Sequence, residues 1–184
     1  MAEDTPVDEA PEDEIVEETV PERALPEHPV LRQLVEADES LEWFLSAGQD
    51  VVAVPADRLA EVGAAARDAG FEMGADLTAV DRLGIRDPRF EVVVNLLSIQ
   101  HNVRLRLLVT VPDEEDPVVP TLSHVWPGLE FFEREVYDMF GIRFEGHDDL
   151  TRILMPDDWI GHPLRKDYAT GEVPVQFKAS PKAV

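Results

Sequence analysis

The fold of this chain is restricted most strongly by three strand-like runs. They follow one another with only short polar connections. They span residues 77–83, 90–97 and 103–111, and a connection of five or six residues is too short for a parallel crossover. The runs are therefore expected to pair as antiparallel neighbours. In the last run one face is wholly apolar, at Val103, Leu105, Leu107, Val109 and Val111. This alternation places Arg104 and Arg106 on the opposite face.

Helical periodicity predicts three helices around these strands. The first follows apolar positions at Leu31, Leu34, Val35, Leu41 and Leu45. After a short strand over residues 50–54, Asp57 is expected to cap a second helix with one face at Leu59, Val62, Ala66 and Ala69, ending at Gly70. The third begins at Pro127 and ends at Gly141.

This order of elements predicts an α+β fold, a two-layer sandwich of a mostly antiparallel or mixed sheet with helices, followed by a long extended C-terminal tail. A doubly wound parallel sheet fits less well, since the strands follow one another without helices between them. The predicted division is a disordered acidic leader over residues 1–29, a core domain over 30–141 and a partner-binding tail over 142–184.

The charge balance excludes one large class of partner. The 184 residues include 39 acidic and 16 basic side chains, a net charge of -23, whereas binding to nucleic acid requires an excess of lysine and arginine. The chain has no cysteine, so it lacks disulfides, thiolate nucleophiles and the usual ligands of iron–sulfur clusters. Neither a signal peptide nor a membrane-spanning stretch is visible, so the protein is expected to be cytosolic or peripheral.

The two ends of the chain differ in composition. Residues 1–29 hold eleven acids, one base and five prolines, which predicts a disordered and solvating leader more than a dedicated binding segment. Residues 142–184 hold seven acids and six bases and follow no period, but they carry large anchors at Phe144, Ile153, Leu154, Trp159, Leu164, Tyr168 and Phe177. Such a segment is expected to gain order by lying on another protein.

A metal-dependent hydrolase that uses His147, Asp149 and His162 is the alternative from a different class. The residue types suit a metal site, but their spacing matches neither a helical histidine pair nor a calcium loop. Loop histidines that bond backbone or carboxylate groups are the preferred interpretation.

Other features of this region have simple structural interpretations. Glu130, Arg134 and Asp138 stand four apart, and pairing along the helix could account for their charges. Gly141, Gly146 and Gly161 are expected at positive φ in turns, without a nucleotide-binding motif around them.

The strongest signal is a series of ordered motifs near the C-terminus. ERE at 133–135, VYDMFGI at 136–142, F-x-GH at 144–147, DLTRILMPDDW at 149–159 and GHPLRKDY at 161–168 together resemble the signature of the 30 kDa subunit family of complex I (NDH-1), the proton-pumping NADH:quinone oxidoreductase. Weaker similarity extends over the three predicted strands. The chain departs from the family pattern at residues 129–131, before the first motif, and at Asp148, where a proline is usual.

The resemblance implies a scaffold protein without catalytic, cofactor-binding or metal-binding residues. FMN and iron–sulfur clusters would belong to partner subunits, with NADH and quinone as substrates of the complex. The implied partners are the complex I subunits D, B and I of the peripheral arm, on the cytoplasmic side of the membrane. The implied partner contacts are Glu133, Arg134, Glu135, Asp138, His147, Asp149, Arg152, Trp159, His162, Arg165, Lys166, Asp167 and Tyr168. Related chains serve complexes fed by coenzyme F420 or ferredoxin, and the sequence does not select the electron donor.

Overall fold

The computed structural model of the chain describes residues 24–112 and 114–169. The disorder predicted for residues 1–23 and the last part of the predicted tail, 170–184, lie outside them. The chain already packs on the core at Leu25, and Pro26 is buried. Arg32 donates a hydrogen bond to the Pro26 carbonyl at 3.1 Å, so the folded domain includes the end of the segment predicted as a leader.

Five strands form one mixed sheet in the order β1-β2-β5-β4-β3. These strands are β1 Glu42–Ser46, β2 Gln49–Pro55, β3 Met73–Asp81, β4 Phe90–Ser98 and β5 Val103–Val111. All neighbours are antiparallel except β2 and β5, which are parallel. A second sheet of two short parallel strands pairs β6 Val118–Pro120 with β7 Arg143–Glu145. The predicted α+β fold with a mixed sheet is confirmed, whereas β1, β6 and β7 were not predicted.

The three helices are α1 Pro29–Glu36, α2 Leu59–Asp68 and α3 Glu130–Phe140. The prediction that the first helix extends to Leu45 is wrong. The Asp38 carboxylate accepts hydrogen bonds from the backbone and hydroxyl of Ser40 at 2.9 and 2.6 Å, and this local turn diverts the chain out of the helix. Leu45 instead lies exposed on β1. Asp57 lies in a single 3₁₀ turn before α2, which has no side-chain cap.

The core lies between the helices and one face of the sheet. Leu105, Leu107 and Val109 of β5 are at most 1% exposed and share one cluster with Val136 of α3 and Val62 of α2. On the other face, the alternate residues from Val93 to Leu97 and from Arg106 to Thr110 are only half-buried, whereas Arg104 is exposed and Glu91 is buried. No helix in the described ranges is long and apolar enough to cross a membrane.

Candidate partner-binding surface

Beyond β7, the chain crosses its own domain without forming a helix or strand as far as it is described. We call residues 146–169 the docked tail. The four residues before Gly146 belong to the domain, because Ile142 and Phe144 are buried in the core and β7 pairs with β6. The docked tail then runs over the C-terminal end of α3 and beside the point where β3 ends and β4 begins.

Asp138, on the buried face of α3, is the first anchor of the docked tail. Its Oδ2 atom accepts hydrogen bonds from the N–H groups of Ile153, Leu154 and Met155 at 3.1, 2.8 and 2.8 Å. Its Oδ1 atom accepts one from Arg152 at 2.6 Å. Burial by itself raises the pKa of Asp138, but these hydrogen bonds outweigh it and hold the pKa below its usual range. One buried carboxylate thus fixes four consecutive tail residues.

The open carbonyl end of α3 is the second point of attachment. A helix leaves its last carbonyls without partners inside the helix, and here the tail supplies them. His162 Nδ1 lies 3.0 Å from the Asp138 carbonyl, the Leu164 N–H donates to Met139 at 3.0 Å, and Arg165 Nε donates to Phe140 at 2.5 Å. Burial lowers the pKa of His162. Residues predicted as partner contacts therefore cap a helix of their own chain.

A buried arginine between two aspartates is the third attachment. Arg89 donates to Asp81 at 2.9 and 2.7 Å and to Asp167 at 3.0 and 2.7 Å. The Lys166 N–H also donates to Asp81 at 2.8 Å. Burial by itself raises the pKa of Asp81, but the hydrogen bonds from Arg89 and from the Lys166 and Leu83 amides lower it to about 2.

Sequence reasoning missed both Asp81 and Arg89. One signal was available for Asp81, because the two-residue period of β3 places it on the same face as Leu77 and Ala79. A charged residue at an apolar position of that pattern indicates a buried ion pair.

Glu133 and His147 form a separate buried group at the start of α3. Glu133 accepts hydrogen bonds from the Leu122 N–H at 2.6 Å and the Thr121 hydroxyl at 2.5 Å. Burial raises the pKa of Glu133, although both hydrogen bonds act in the opposite direction. His147 Nδ1 accepts from the Asp149 N–H at 3.1 Å, and Nε2 lies 3.2 Å from the Glu130 carbonyl.

The two tail histidines are thus loop residues bonded to backbone, as the preferred interpretation predicted. Each ring nitrogen that bonds backbone is unavailable for another ligand. Among residues 24–112 and 114–169, no three or more histidine, aspartate or glutamate side chains are grouped so as to hold a metal ion.

The structure divides the predicted contact residues into two sets. Eight have side chains that bond other residues of the chain: Glu133, Arg134, Asp138, His147, Arg152, His162, Arg165 and Asp167. Asp149 and Lys166 bond the chain through their backbone N–H groups. The side chains of Glu135 and Lys166 are exposed. Tyr168 donates weakly to the Ile160 carbonyl at 3.5 Å, and the half-buried Trp159 has no hydrogen-bond partner for Nε1 among the described atoms.

The predicted pairing along α3 does not occur. Arg134 donates instead to the carbonyl and hydroxyl of Thr151 in the tail, at 3.1 and 3.0 Å. Asp138 faces Arg152, because burial of α3 turns its carboxylate toward the crossing tail.

The outer side of the docked tail carries exposed aliphatic residues. We call four of them the apolar ridge: Ile153, Leu154, Ile160 and Leu164, with exposed fractions of 40, 56, 88 and 53%. Arg152 donates to the Gly161 carbonyl at 3.0 Å, which joins the residue before Ile153 to the residue after Ile160. Ile160 was not among the anchors predicted from sequence.

Gly141 has the backbone geometry on which this arrangement depends. Its φ is +74°, and an added Cβ would lie 2.6 Å from the His162 ring and 2.8 Å from Arg165. Gly141→Ala is expected to lower the free energy of unfolding by about 1–3 kcal/mol, from left-handed backbone strain and displaced tail side chains. Urea denaturation measures it. Gly128→Ala is the matched control, since its Cβ would meet nothing within 4 Å; equal losses in both variants would contradict the argument.

Comparison with known proteins shows which family these motifs belong to. The model of the family described as "Respiratory-chain NADH dehydrogenase, 30 Kd subunit" matches residues 52–173, about two thirds of the chain. This chain belongs to that family. The predicted resemblance is thereby confirmed, and the docked tail up to Ala169 lies within the matched region of the 30 kDa subunit family.

Individual relatives agree with this membership. A protein of Herpetosiphon aurantiacus, named as the C subunit of NADH-quinone oxidoreductase, is 54% identical over 110 residues, which cover 60% of this chain and 63% of the relative. A protein of the same name from Leptothrix cholodnii is 43% identical over 146 residues, 74% of this chain and 73% of the relative. The match spans only 54% of the Mycolicibacterium gilvum protein, so the chain aligns with less than two thirds of several relatives.

Two solved structures share the fold. The trypsin-resistant fragment 1–134 of Nqo5 is 37% identical, with a TM-score of 0.60, and the match covers 66% of this chain and 99% of the fragment. A chain from an archaeal membrane-bound sulfane sulfur reductase is 22% identical, with a TM-score of 0.66, covering 84% of this chain and 96% of that one. At that identity the second match shows the fold alone.

Proposed function

We propose that this chain is a non-catalytic scaffold in the peripheral arm of a proton-pumping NADH:quinone oxidoreductase. Its family membership and the relatives named as a subunit of NADH-quinone oxidoreductase support this function. In the proposal, electrons pass from NADH through FMN and iron–sulfur clusters of partner subunits to quinone, coupled to proton translocation. The chain offers no cysteine for such clusters. It lies on the cytoplasmic side of the membrane through the complex.

The observation that carries the proposal is the way the family signature folds. Charged and polar residues of the signature fasten the tail to α3 and to Arg89, just before β4, while the side chains of the apolar ridge remain exposed. Four exposed aliphatic side chains on a backbone held by partly buried hydrogen bonds form a preorganised surface. A rigid surface loses less conformational entropy on binding than a flexible one, so ordering of the tail subtracts less from the binding free energy of the ridge.

The proposed occupants of this surface are neighbouring subunits of the arm, with subunits D, B and I as the candidates. Burying the ridge stabilises the complex through the hydrophobic effect, at roughly 25 cal/mol per Å² of apolar area. Interface energies concentrate in a few residues of this kind. Glu135, Trp159, Lys166 and Tyr168, which keep exposed or half-exposed side chains, are the polar and aromatic contacts we assign to the same interface.

A leucine on the ridge gives a test that leaves the fold intact. The Leu164 side chain is 53% exposed and its role in fastening the tail uses only its backbone N–H. Leu164→Asp is expected to lower the yield of co-purified complex by about 10-fold or more, because it places a charge in an apolar contact. The measurement is affinity purification of the tagged chain from its own cells, with the co-purified proteins identified and NADH:quinone activity assayed.

Leu45→Asp is the matched control, since Leu45 is 62% exposed on edge strand β1, away from the tail. It should leave the yield unchanged. Equal yields for the unsubstituted chain and Leu164→Asp would refute the ridge as the contact surface. A tagged chain that recovers no respiratory proteins at all would refute the scaffold function itself.

A further inference from the structure

The sheet has a second face that lies away from the helices and the apolar ridge. Near the β4–β5 turn this face forms an open depression of about 830 Å³. Its lining includes Asn95, Leu97, Arg104 and Arg106, which alternate with the core positions, together with the acidic residues Asp50 and Asp76. Beyond the depression the same face continues along the strands through Thr78, Val93 and Leu108. The helices pack on the opposite face, so among the described residues this surface has partly exposed apolar side chains without a covering layer.

Two arginines on this face lack acidic partners within residues 24–112 and 114–169. Arg104 and Arg106 stand two apart on β5 and point to the same side. Arg106 donates to the Asn95 amide oxygen at 3.2 Å, and the amide nitrogen of Asn95 contacts Asp76 at 3.4 Å. By contrast, Arg82 and Arg89, around the ends of β3 and β4, are each paired with a carboxylate.

The N-terminal part of the chain arrives at this end of the sheet. The His28 and His101 rings lie 6.4 Å apart, edge to face, and His101 belongs to the β4–β5 turn beside Ile99 and Asn102, which line the depression. Leu25 packs against the core. The described chain therefore begins a few residues before His28, near the end of the sheet that carries the β4–β5 turn.

The other terminal segment leaves from the opposite end. Lys166 and Asp167 contact Asp81 and Arg89, where β3 ends and β4 begins, one full strand length from the β4–β5 turn. Residues 170–184 also contain one acid and two lysines, which do not complement a pair of arginines.

Residues 1–23 have the matching composition and sufficient length. They contain ten acidic residues and one base, with Ile15, Val16 and Val20 among the acids. At about 3.3 Å per extended residue they reach roughly 75 Å, whereas a nine-residue strand such as β5 spans about 30 Å. Attachment to the same chain also gives the segment a high effective concentration at the face, on the order of millimolar.

We propose that residues 1–23 dock on the open face of the sheet, with their carboxylates on Arg104 and Arg106 and their apolar residues against Val93, Leu97 and Leu108. The acidic segment is then a ligand of its own domain as well as a source of charge. This inference goes beyond the proposed function, since the open face and the apolar ridge are separate surfaces.

The absence of cysteine makes a labelling experiment direct. In the full-length chain, Thr78→Cys carries a nitroxide on the open face, and Ala64→Cys carries it on the exposed side of α2 as the control. NMR intensities of the amides of residues 1–23 are measured with each label oxidised and reduced. The label at position 78 is expected to remove most of the signal of residues in this segment, while the label at position 64 leaves it.

Two perturbations then identify the contact. Arg104→Gln with Arg106→Gln, and separately about 1 M salt, where the Debye length falls to ~3 Å, should each restore the signals. The salt titration needs no substitution, so it tests the pairing even if the double variant folds poorly. The proposal is overturned if the position-78 label leaves residues 1–23 unaffected, if both labels broaden them equally, or if residues 170–184 respond instead.

Discussion

Asp138→Ala is expected to lower the free energy of unfolding by about 3–5 kcal/mol. The substitution leaves the largely buried Arg152 guanidinium without its carboxylate and the N–H groups of residues 153–155 without an acceptor. Removing one partner of a buried ion pair costs this much because the remaining charge stays desolvated and unpaired. Urea denaturation of the full-length chain measures the loss.

The effect should also be local to the tail. Hydrogen exchange in Asp138→Ala is expected to accelerate at the amides of residues 153–155 more than at those of β4, since these amides lose their acceptor. Glu135→Ala, three residues earlier on the exposed side of α3, is the control and should change stability by less than about 0.5 kcal/mol. A similar loss of stability in both variants would show that the loss comes from disturbing α3 itself and not from removing the anchoring carboxylate.

Arg89→Ala is expected to have an effect of comparable size, about 3–5 kcal/mol. Arg89 is 8% exposed and is the bridge between Asp81 in the core and Asp167 in the tail. Without it, the buried Asp81 carboxylate loses its ion-pair partner and the tail loses one attachment. Arg143→Ala is the control, since Arg143 pairs with Asp116 on the surface, where both side chains are more than half exposed and a salt bridge contributes only about 0–1 kcal/mol.

The pH dependence of stability distinguishes loss of the ion pair from simple loss of packing in Arg89→Ala. The pKa of Asp81 is lowered from 3.8 to about 2 in the folded chain, so its contribution is complete above the ordinary pKa and is lost as pH falls through about 2. The contribution amounts to about 2 kcal/mol, at 1.36 kcal/mol per pKa unit. Arg89→Ala should reduce this dependence between about pH 4 and 2, measured by denaturation at each pH. An unchanged acid slope would contradict the assigned pairing.

Local sequence pattern was sufficient to predict an element where one face of that element is buried by its immediate neighbours in the chain. The alternation of β5, the antiparallel succession of β3, β4 and β5, and the end of α3 at Gly141 were all predicted from spacing and turn residues. The observed bounds differ slightly from the predicted ones, since β3 begins at Met73 and not at residue 77. The strand continues past the apolar pattern because backbone pairing with β4 extends to Leu97.

Elements whose pairing depends on distant segments were not predictable in this way. Strands β6 and β7 have three residues each and pair across more than twenty residues of chain, so neither has a periodic signal of its own. The parallel pairing of β2 with β5 likewise depends on the position of the whole β3–β5 unit. Exposed Phe44 and Leu45 gave β1 no alternation that separates it from a helix.

Local periodicity and an ordered set of motifs were enough to predict the fold class, the antiparallel succession of the central strands and the family. The contacts of the signature residues, by contrast, depend on how the whole chain is folded. The Lys166 amide meets Asp81 across 85 positions, and Arg89 meets Asp167 across 78. The local sequence around a charged residue is the same whether its partner is another protein or a distant strand of its own chain. The two cases are distinguished by where the folded tail lies.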